Sequence, residues 1–499
     1  MKKVLTIILD GFGIRDEEDG NAIKAAKMNN FNQLWQDYPH SILGASEEDV
    51  GLKHGQMGNS EVGHSTIGAG KILKQPEVLV DEFLENVDAE NESIKELLSY
   101  KGKDVHLMGL CSDGNVHAGV DDFLAMHKYL VNHGFRKIHF HLITDGRDTG
   151  VNSAYNYIKM IEDAIKSTRV GDIVSICGRY YAMDRDKNWD RIQKYYDLIV
   201  NGEGVHADNV NQALQNSYNE DVTDEFIKPI ILSKHLIKDG DVVLWMNYRA
   251  DRSKQILLSL TKPDFNEFFV KSLPNLKVFT FFDIDKDIVA KHFLEPATSK
   301  MPLGIYLSEL GFTQARVAES EKIAHVTYFF DNGFEGKINN CDKFHIPSPD
   351  VATYDLKPEM SAVGITKKII ECMEKDYDFI LANFANPDMV GHTGSMEAAT
   401  KVCMAVDICL GKIIEKAEDN FYKIFLLADH GNADTMYNED HSECTTHTLN
   451  KVPFIITDKK VKLVPTGTLA NVAPTILEYM DIALPKEMQD TPSLIQKDE

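Results

Sequence analysis

Short apolar runs alternate with longer, helix-like segments along most of the chain, and many of the runs end at glycine, aspartate or asparagine. Such runs are typical of buried strands, and their alternation with helical segments predicts an α/β fold built on parallel sheet. The predicted strands are Val4–Leu9, Val105–Leu110, Lys137–Thr144, Ile173–Cys177, Val242–Met246, Lys277–Phe282, Phe379–Asn383, Lys423–Ala428 and Val452–Ile456.

Two of the helices between these strands are well marked in the sequence. Asp121 and Asp122 precede the periodic segment Phe123–His133, and Gly134 follows it. Acidic residues stabilise the first turn of a helix through its dipole, and glycine commonly ends a helix. A second long helix, polar on one side, is predicted at Ala398–Lys416.

The alternating pattern is interrupted at Lys74–Glu77 and again at Glu295–Gly304, where prolines occur. A chain of 499 residues is also too long for one ordinary hydrophobic core. We therefore expect residues 1–74 and 304–499 to form one α/β domain. Residues 78–295 are expected to form a second α/β domain that is inserted into the first.

A serine stands inside the glycine-rich segment Gly55–His64. Glycines let backbone approach a ligand closely, and the residues after Ser60 predict a helix that begins there. The N-terminus of a helix favours an anion such as phosphate. Taken alone, a segment of this kind is more often a simple turn. Its interest depends on the aspartates and histidines elsewhere in the chain.

Aspartate and histidine recur at the ends of predicted strands, where ligands bind in α/β sheets. An isolated aspartate there, such as Asp10, is more simply a turn or a helix cap. Asp388 and His392 would share one face of a helix, and burial of Asp429 beside His430 would require a metal or a hydrogen-bond network. The seven candidate metal ligands are Asp10, Ser60, Asp388, His392, Asp429, His430 and His447, whereas His441 lies in a polar run and is expected to be solvated.

The mixture of ligand types indicates which cations would suit this set. Carboxylates combined with imidazoles suit manganese, zinc or a similar divalent ion, whereas sites made only of oxygen suit calcium or magnesium. Two such ions close together stabilise both the attacking and the leaving oxygen of a phosphoryl transfer. The set is therefore compatible with metal-assisted phosphoryl transfer.

Arginines lie in three loops of the middle segment, each after a predicted strand: Asp145–Asp148, Gly178–Arg185 and Asn247–Arg252. Guanidinium groups bind phosphate and carboxylate in a bidentate manner. Exposure to solvent is the usual explanation for arginines, but three such loops at strand ends favour convergence on an anionic ligand. His117, in another loop after a strand, and Lys322 are further candidates for contact with that ligand.

Composition narrows the class of protein. The formal net charge of -24 argues against binding to nucleic acid or to an acidic membrane surface. Seven cysteines without a C-x-x-C motif indicate reduced thiols and a cytoplasmic protein. The first apolar run is broken at Asp10, too early for a signal peptide, and no run approaches the length of a membrane span. We expect a monomer that acts on a small molecule.

Taken together, these motifs closely resemble those of the cofactor-independent phosphoglycerate mutases of the alkaline phosphatase superfamily. The resemblance implies an alkaline-phosphatase-like domain with an inserted substrate-binding phosphotransferase domain. It also implies two manganese ions and interconversion of 3-phosphoglycerate and 2-phosphoglycerate in glycolysis and gluconeogenesis, without bisphosphoglycerate. The matching segments, in the family's order, are Asp10–Gly13, Gly55–His64, Asp145–Asp148, Gly178–Trp189, Asn247–Arg252, Glu321–Lys322, Asn386–Gly394 and Asp429–Asn432.

The same resemblance implies roles for individual residues. Ser60 would be the nucleophile that becomes phosphorylated, Asp148 the acid/base at the glycerate hydroxyls, and Lys322 a catalytic lysine that neutralises a phosphoryl oxygen. One metal ion would be bound by Asp388, His392 and His447, and the other by Asp10, Ser60, Asp429 and His430. The substrate-binding residues would be His117, Arg147, Asp148, Arg179, Arg185, Arg249, Arg252 and Lys322.

Two alternatives remain at this stage. One is a metal-dependent phosphatase or a different phosphomutase of the same superfamily, which would differ in whether glycerate is retained or released. The other is a metal-stabilised binding protein without catalysis, in which Ser60 would tolerate alanine. The three arginine loops favour the mutase, because neither alternative requires them.

Overall fold

The computed structural model describes residues 2–497. The chain divides into two compact units. Unit 1 is formed by the segment up to Lys74 together with the segment from Ala297 onward, and unit 2 is the continuous segment Gln75–Pro296. Each unit is built around its own eight-stranded sheet. Unit 2 is therefore an insertion into the chain of unit 1.

The strands and helices alternate along the chain. The strands are β1 (Lys3–Leu9), β2 (His40–Gly44), β3 (Val105–Leu110), β4 (Ile138–Thr144), β5 (Asp172–Gly178), β6 (Val205–His206), β7 (Ile230–Ile231), β8 (Val242–Trp245), β9 (Lys277–Thr280), β10 (Lys291–His292), β11 (Gln314–Glu319), β12 (Cys341–Ile346), β13 (Phe379–Phe384), β14 (Tyr422–Leu427), β15 (Val452–Ile456) and β16 (Thr466–Thr468). The α-helices are α1 (Ala22–Ala25), α2 (Asn29–Asp37), α3 (Ser60–Ala69), α4 (Pro76–Glu85), α5 (Glu92–Ser99), α6 (Val120–Asn132), α7 (Ala154–Thr168), α8 (Arg179–Ala182), α9 (Trp189–Tyr196), α10 (Val210–Asn219), α11 (Lys254–Thr261), α12 (Leu303–Glu309), α13 (Ala362–Glu374), α14 (Asn386–Gly391), α15 (Met396–Asp419) and α16 (Val472–Tyr479).

The sheet of unit 1 has the order β12–β11–β13–β1–β14–β15–β2–β16. Strand β1 pairs in parallel with β13 on one side and with β14 on the other. All of its residues except Lys3 are buried, as expected for a central strand covered on both faces. Because these three strands are parallel neighbours, their carboxyl ends meet at one edge of the sheet.

Apolar helix faces cover this sheet and form the core of unit 1. Helices α13 and α15 pack against each other, and their buried positions recur at helical spacing, as in Ile365 and Ile369 or Val402 and Val406. Their buried side chains belong to one continuous cluster that includes β1, β13 and β14. The elements that end at the shared edge are thus held by a common core.

The sheet of unit 2 has the order β10–β9–β8–β3–β4–β5–β7–β6. Along β3 the side chains alternate between two apolar clusters: Val105 and Leu107 belong to one, and Met108 and Leu110 belong to the other. Alternation of this kind places helices on both faces of a largely parallel sheet. The strands β3, β4, β5 and β8 are parallel, so their following loops lie along one edge.

All nine predicted strands are present, with ends that differ from the prediction by at most two residues. The sequence did not predict the other seven strands within residues 2–497, which are β2, β6, β7, β10, β11, β12 and β16. Strand β11 is fully buried but reads QARVAE, because Arg316 is accommodated beside Asp331 and over the ring of Phe330 rather than in solvent. Strand β15 runs antiparallel to both β14 and β2, which the apolar pattern alone could not indicate.

The two predicted linkers were too long, because helices begin within both of them. Helix α4 begins at Pro76, since the fixed φ of proline suits the first turn of a helix. Helix α12 begins at Leu303, inside the second predicted linker. None of the helices among residues 2–497 is both long and apolar enough to cross a membrane.

One carboxylate of α15 stabilises a different helix, which gives a test of the unit 1 core. Asp407 accepts hydrogen bonds from the backbone N–H groups of Asn30 (3.1 Å) and Phe31 (2.9 Å) at the start of α2. These groups have no partner within their own helix.

We expect Asp407→Ala to lower the free energy of unfolding by about 1–3 kcal/mol in urea denaturation. The control Glu415→Ala, an exposed carboxylate on α15, should change it by less than about 0.5 kcal/mol; equal effects would contradict the capping role.

Candidate active site in unit 1 and arginine cluster in unit 2

The candidate active site of unit 1 lies at the carboxyl ends of the three central strands. Asp10 follows β1, and Asp429 and His430 follow β14. Asp388 lies on α14, which begins two residues after β13. In open α/β sheets this edge is where ligands bind. The fold thereby brings together residues that are distant in the sequence.

Ser60 is the first residue of α3. Its position is fixed by Asn59, whose side chain accepts a hydrogen bond from the N–H of Val62 (3.0 Å) and so caps the helix. Gly63 lets α3 approach the neighbouring strand end, because a Cβ there would lie 2.8 Å from the carbonyl oxygen of Asp429. The helix therefore presents Ser60 directly to the strand-end residues.

The Ser60 hydroxyl lies among three charged or titratable groups. It donates a hydrogen bond to Asp10 Oδ1 (3.0 Å) and lies 2.9 Å from His430 Nε2. Lys322 Nζ donates to Ser60 Oγ at 2.6 Å. A serine becomes a nucleophile when neighbouring groups accept its proton or stabilise its oxyanion, and this surrounding provides groups of both kinds.

A group of two histidines and one aspartate lies at the outer side of the site. His392 Nε2 and His447 Nε2 each lie 3.2 Å from Asp388 Oδ1, and 3.1 Å from each other. Asp388 and His392 share one face of the chain at α14, as their four-residue spacing predicts. The hydrogen bond that His392 donates to Asp388 raises the pKa of His392.

A second group lies deeper. His430 Nε2 lies 3.4 Å from Asp10 Oδ1 and 3.6 Å from Asp429 Oδ2, and all three residues are fully buried. Burial alone would lower the pKa of His430, but the surrounding aspartates, Asp429 first, raise it to about 10. The imidazolium of His430 therefore supplies positive charge beside these aspartates without a metal ion.

Lys322 provides further positive charge at the centre. Its ammonium donates to Asp10 Oδ1 (2.8 Å) and Asp388 Oδ2 (2.6 Å), and the residue is 4% exposed. Burial would lower the pKa of Lys322, but these two carboxylates raise it above its ordinary value. Burial would likewise raise the pKa of Asp10, and Lys322 is the main group that lowers it instead.

The donor set fits divalent metal ions. Within residues 2–497, Asp429 Oδ2 is buried without a hydrogen-bond partner, which is costly for a carboxylate unless a cation binds it. Each histidine donates Nδ1–H to a backbone carbonyl: His392 to Thr445 (2.8 Å), His447 to Gly58 (2.9 Å) and His430 to Gly431 (3.2 Å). This arrangement directs each Nε2 at the carboxylates, so that Nε2 is the atom that would bind a metal after losing its proton, as in histidines that bind metals.

Two supporting residues of this site were missed as functional residues by the sequence analysis. Asn383 Nδ2 donates to Asp10 Oδ2 (2.7 Å) and to His64 Nε2 (3.1 Å). His64 Nδ1 lies 3.2 Å from Asp429 Oδ2 and donates to Ser60 O at 2.8 Å. The pair therefore connects two candidate ligands, Asp10 and Asp429, that follow different strands. A polar residue near the end of an apolar strand was the available signal for Asn383.

In unit 2, a buried aspartate organises the first arginine loops. Asp145 Oδ1 accepts from Arg179 Nη1 (2.7 Å) and from the backbone N–H groups of Arg147 and Asp148, and Asp145 Oδ2 accepts from Ser112 (2.8 Å). Arg179 also donates to Asp148 Oδ2 at 2.5 Å. Burial would raise the pKa of Asp145, but these hydrogen bonds lower it. Asp145 belongs to the first arginine motif, and these hydrogen bonds give it a positioning role that the motif alone does not indicate.

His117 lies near Arg179 and Arg249 and shares the neighbouring carboxylate of Asp251 with Arg185. Arg185 donates to Asp251 (3.0 Å), and His117 Nδ1 lies 3.9 Å from the same carboxylate. Burial and then the charge of Arg179 lower the pKa of His117 to about 4, so the imidazole is neutral. Burial and then the neighbouring arginines, Arg185 first, lower the pKa of Arg252. The result is a local excess of positive charge in an acidic protein.

The structure therefore separates the candidate residues into two groups. All seven candidate ligands lie with Lys322 in unit 1, and His441 is exposed as predicted, 3.7 Å from Asp19. The other candidates lie in unit 2, in the segments that follow β3, β4, β5 and β8; they are His117, Arg147, Asp148, Arg179 at the start of α8, Arg185, Arg249 and Arg252. Arg147 is paired with Glu225, and Arg249 is exposed.

Comparison with known proteins places this geometry in a family. A model of the metalloenzyme superfamily matches residues 2–484. A 2,3-bisphosphoglycerate-independent phosphoglycerate mutase of Parabacteroides distasonis is 44% identical over 499 residues, covering 98% of each chain. The corresponding enzyme of Clostridium novyi is 43% identical over 502 residues, again covering 98% of each chain.

The chain belongs to the 2,3-bisphosphoglycerate-independent phosphoglycerate mutase family. A crystal structure of Leishmania mexicana phosphoglycerate mutase, obtained at low cobalt concentration, superimposes with a TM-score of 0.70 at 29% identity. The match covers 100% of this chain and 98% of the other. The family and the α/β fold that the sequence predicts are thereby confirmed, and membership of the mutase family makes the chain an enzyme. Its superfamily supports the use of divalent metal.

The connection through Asn383 gives a test of how the site is held. We expect Asn383→Ala to weaken binding of Mn²⁺ by about 10–100-fold, because groups that orient metal ligands commonly contribute that much to affinity. Calorimetric titration of the metal-free chain measures the change. Asn471→Ala removes a buried asparagine of unit 1 that hydrogen-bonds to Thr468 and Pro492, and serves as the control. Unchanged affinity in Asn383→Ala would contradict the connecting role.

Proposed function

We propose that this chain interconverts 3-phosphoglycerate and 2-phosphoglycerate through a phosphoserine at Ser60, without bisphosphoglycerate. The observation that carries the proposal is the Ser60 hydroxyl at the start of α3, within 3.0 Å of Asp10, His430 and Lys322. The names of the relatives support the substrate. The helix N-terminus adds a favourable environment for the phosphoryl group.

We further propose two Mn²⁺ ions as cofactors. Carboxylate and imidazole ligands in this mixture suit manganese. When bound, the ions would lower the pKa of the Ser60 hydroxyl and neutralise charge on the phosphoryl group. One ion would be held by Asp388, His392 and His447, and the other by Asp10, Ser60, Asp429 and His430.

The residues of unit 1 would carry out the transfer itself. Ser60 Oγ attacks phosphorus while its proton is withdrawn towards Asp10, the acceptor of its hydrogen bond. The bond between phosphorus and the substrate oxygen breaks, and that oxygen gains a proton that Asp148 takes from the other hydroxyl of the same glycerate. Lys322 stabilises a phosphoryl oxygen through its ammonium charge. The oxygen that has lost its proton then attacks phosphorus, the bond to Ser60 Oγ breaks, and Ser60 Oγ regains its proton from Asp10.

The residues of unit 2 would hold the glycerate between these two steps. Arginines bind a carboxylate in a bidentate manner, and the cluster around Arg179 supplies several guanidinium groups. The carboxylate of Asp148 accepts a hydrogen bond from Arg179, and the backbone N–H of Asp148 donates to Asp145. Held in this way, Asp148 would exchange the proton at the glycerate hydroxyls. Retention of glycerate and exclusion of water would separate a mutase from a phosphatase, since water would hydrolyse the phosphoserine.

The cellular compartment can be proposed from the cysteines. All seven are free thiols, and six of them are buried. Burial without pairing is typical of proteins in reducing compartments. We therefore propose a cytoplasmic location.

The central test is substitution of Ser60. We expect Ser60→Ala to lower mutase activity by at least about a thousandfold, because it removes the nucleophile. A coupled assay for 2-phosphoglycerate, run without bisphosphoglycerate, measures this, and released inorganic phosphate is measured in parallel. Ser65→Ala, on the same helix with its hydroxyl on the carbonyl of Phe329, is the control. Activity of Ser60→Ala within a few-fold of wild type would contradict the proposal. Release of inorganic phosphate by the wild type, in place of formation of 2-phosphoglycerate, would favour the phosphatase.

Removal of metal provides a second test. Exhaustive chelation should abolish activity, and Mn²⁺ should restore it, because the buried carboxylates at Asp10, Asp388 and Asp429 require more cationic charge than the chain supplies. Elemental analysis before and after chelation accompanies the assay. Full activity in a chain shown to be free of metal would rule out the cofactor proposal.

A further inference from the structure

Unit 2 contains a second cluster of histidine and aspartate, at the sheet edge opposite to the arginine loops. His106 on β3, His139 on β4 and Asp172 on β5 are neighbours in the strand register. They occupy the first or second position of their strands, whereas the arginine loops follow the carboxyl ends of the same strands. The cluster therefore belongs neither to the arginine loops nor to the proposed active site.

His139 and Asp172 of this cluster converge with His235, which lies in the loop after β7. His139 Nδ1 lies 2.6 Å from Asp172 Oδ1, and His235 Nδ1 lies 3.0 Å from Asp172 Oδ2. The three potential ligand atoms lie within 4.8 Å of one another. Ligands of tetrahedral zinc lie about 3.3 Å apart, given metal–ligand distances of about 2.0–2.1 Å. The observed separations require only small side-chain shifts to reach this geometry.

A carboxylate orients the central histidine from the far side. His139 Nε2 donates to Asp104 Oδ1 at 2.9 Å. This is the arrangement in which a carboxylate fixes the ring of a metal-binding histidine and leaves its other nitrogen to the metal. Asp241 lies 3.2 Å from His106 Nε2, and Lys137 lies 3.4 Å from Asp104. With Asp172, three carboxylates thus contact the histidines of this neighbourhood.

We propose that His139, Asp172 and His235 form a zinc-binding site. Zn²⁺ would replace the proton that His139 Nδ1 shares with Asp172 Oδ1. Two imidazoles and one carboxylate favour zinc over magnesium or calcium, which select sites made of oxygen. The side chain of His235 is 49% exposed, so the fourth coordination position is open to water. The ion would tie the loop after β7 to β4 and β5.

The test compares the zinc content of three full-length chains after equilibrium dialysis against Zn²⁺. We expect His235→Gln to bind about one ion fewer per chain than the wild type, since it removes one of three ligands. His206→Gln, an exposed histidine of unit 2, should bind as much as the wild type. The ligands of unit 1 are the same in all three chains, so the difference reports on unit 2 alone. Equal zinc content in all three would overturn the proposal.

Two further measurements locate the ion and separate this proposal from the proposed function. Anomalous scattering at the zinc edge, from wild-type crystals soaked in Zn²⁺, should give a peak between His139, Asp172 and His235. Absence of that peak beside occupied ligands in unit 1 would also overturn the proposal. Mutase activity of His235→Gln with Mn²⁺ should equal that of the wild type, so a failed zinc site leaves the proposed function untouched.

Discussion

Three aspartates share one buried place in unit 1, and the need to balance their charge governs what surrounds them. Asp10, Asp388 and Asp429 are each at most 2% exposed. Burying even one carboxylate without a partner is unfavourable, and removing a partner from a buried charge is strongly destabilising. Lys322 and His430 supply part of the balancing charge, which is why both carry raised pKa values. Asp429 Oδ2, which has no hydrogen-bond partner among the described residues, marks the remaining negative charge, which a bound metal ion would balance.

In both units, charged side chains are positioned by a buried polar residue that hydrogen-bonds to several partners at once. In unit 1, Asn383 holds Asp10 and His64 together. In unit 2, Asp145 fixes the guanidinium of Arg179 and the backbone of the following loop. In each case the anchor lies at or just beyond a strand end, so the rigid sheet, rather than a flexible loop, sets the geometry of the reactive groups.

Much of this arrangement could be predicted from the sequence, because apolar runs mark central strands and turn residues mark their ends. The positions of Asp10 and Ser60 followed from such local patterns. Strand β11 could not be predicted, since Arg316 looks like a surface residue until its partners, Asp331 and Phe330, are known. The role of His64 could not be predicted for a related reason. Its partner Asn383 is 319 residues away in the sequence, and only the order of strands in the sheet brings the two residues together.

The position of β1 has a consequence for synthesis on the ribosome. Its partners β13 and β14 begin at Phe379 and Tyr422, so most of the chain is translated before either can pair with it. Until then the sequence KVLTIIL remains an unpaired apolar strand, the kind of segment that invites aggregation. Unit 2 pairs its strands within Gln75–Pro296 and can complete its sheet in the meantime. Folding of unit 1 is therefore a late event of high contact order, and β1 is without its partner strands for most of translation.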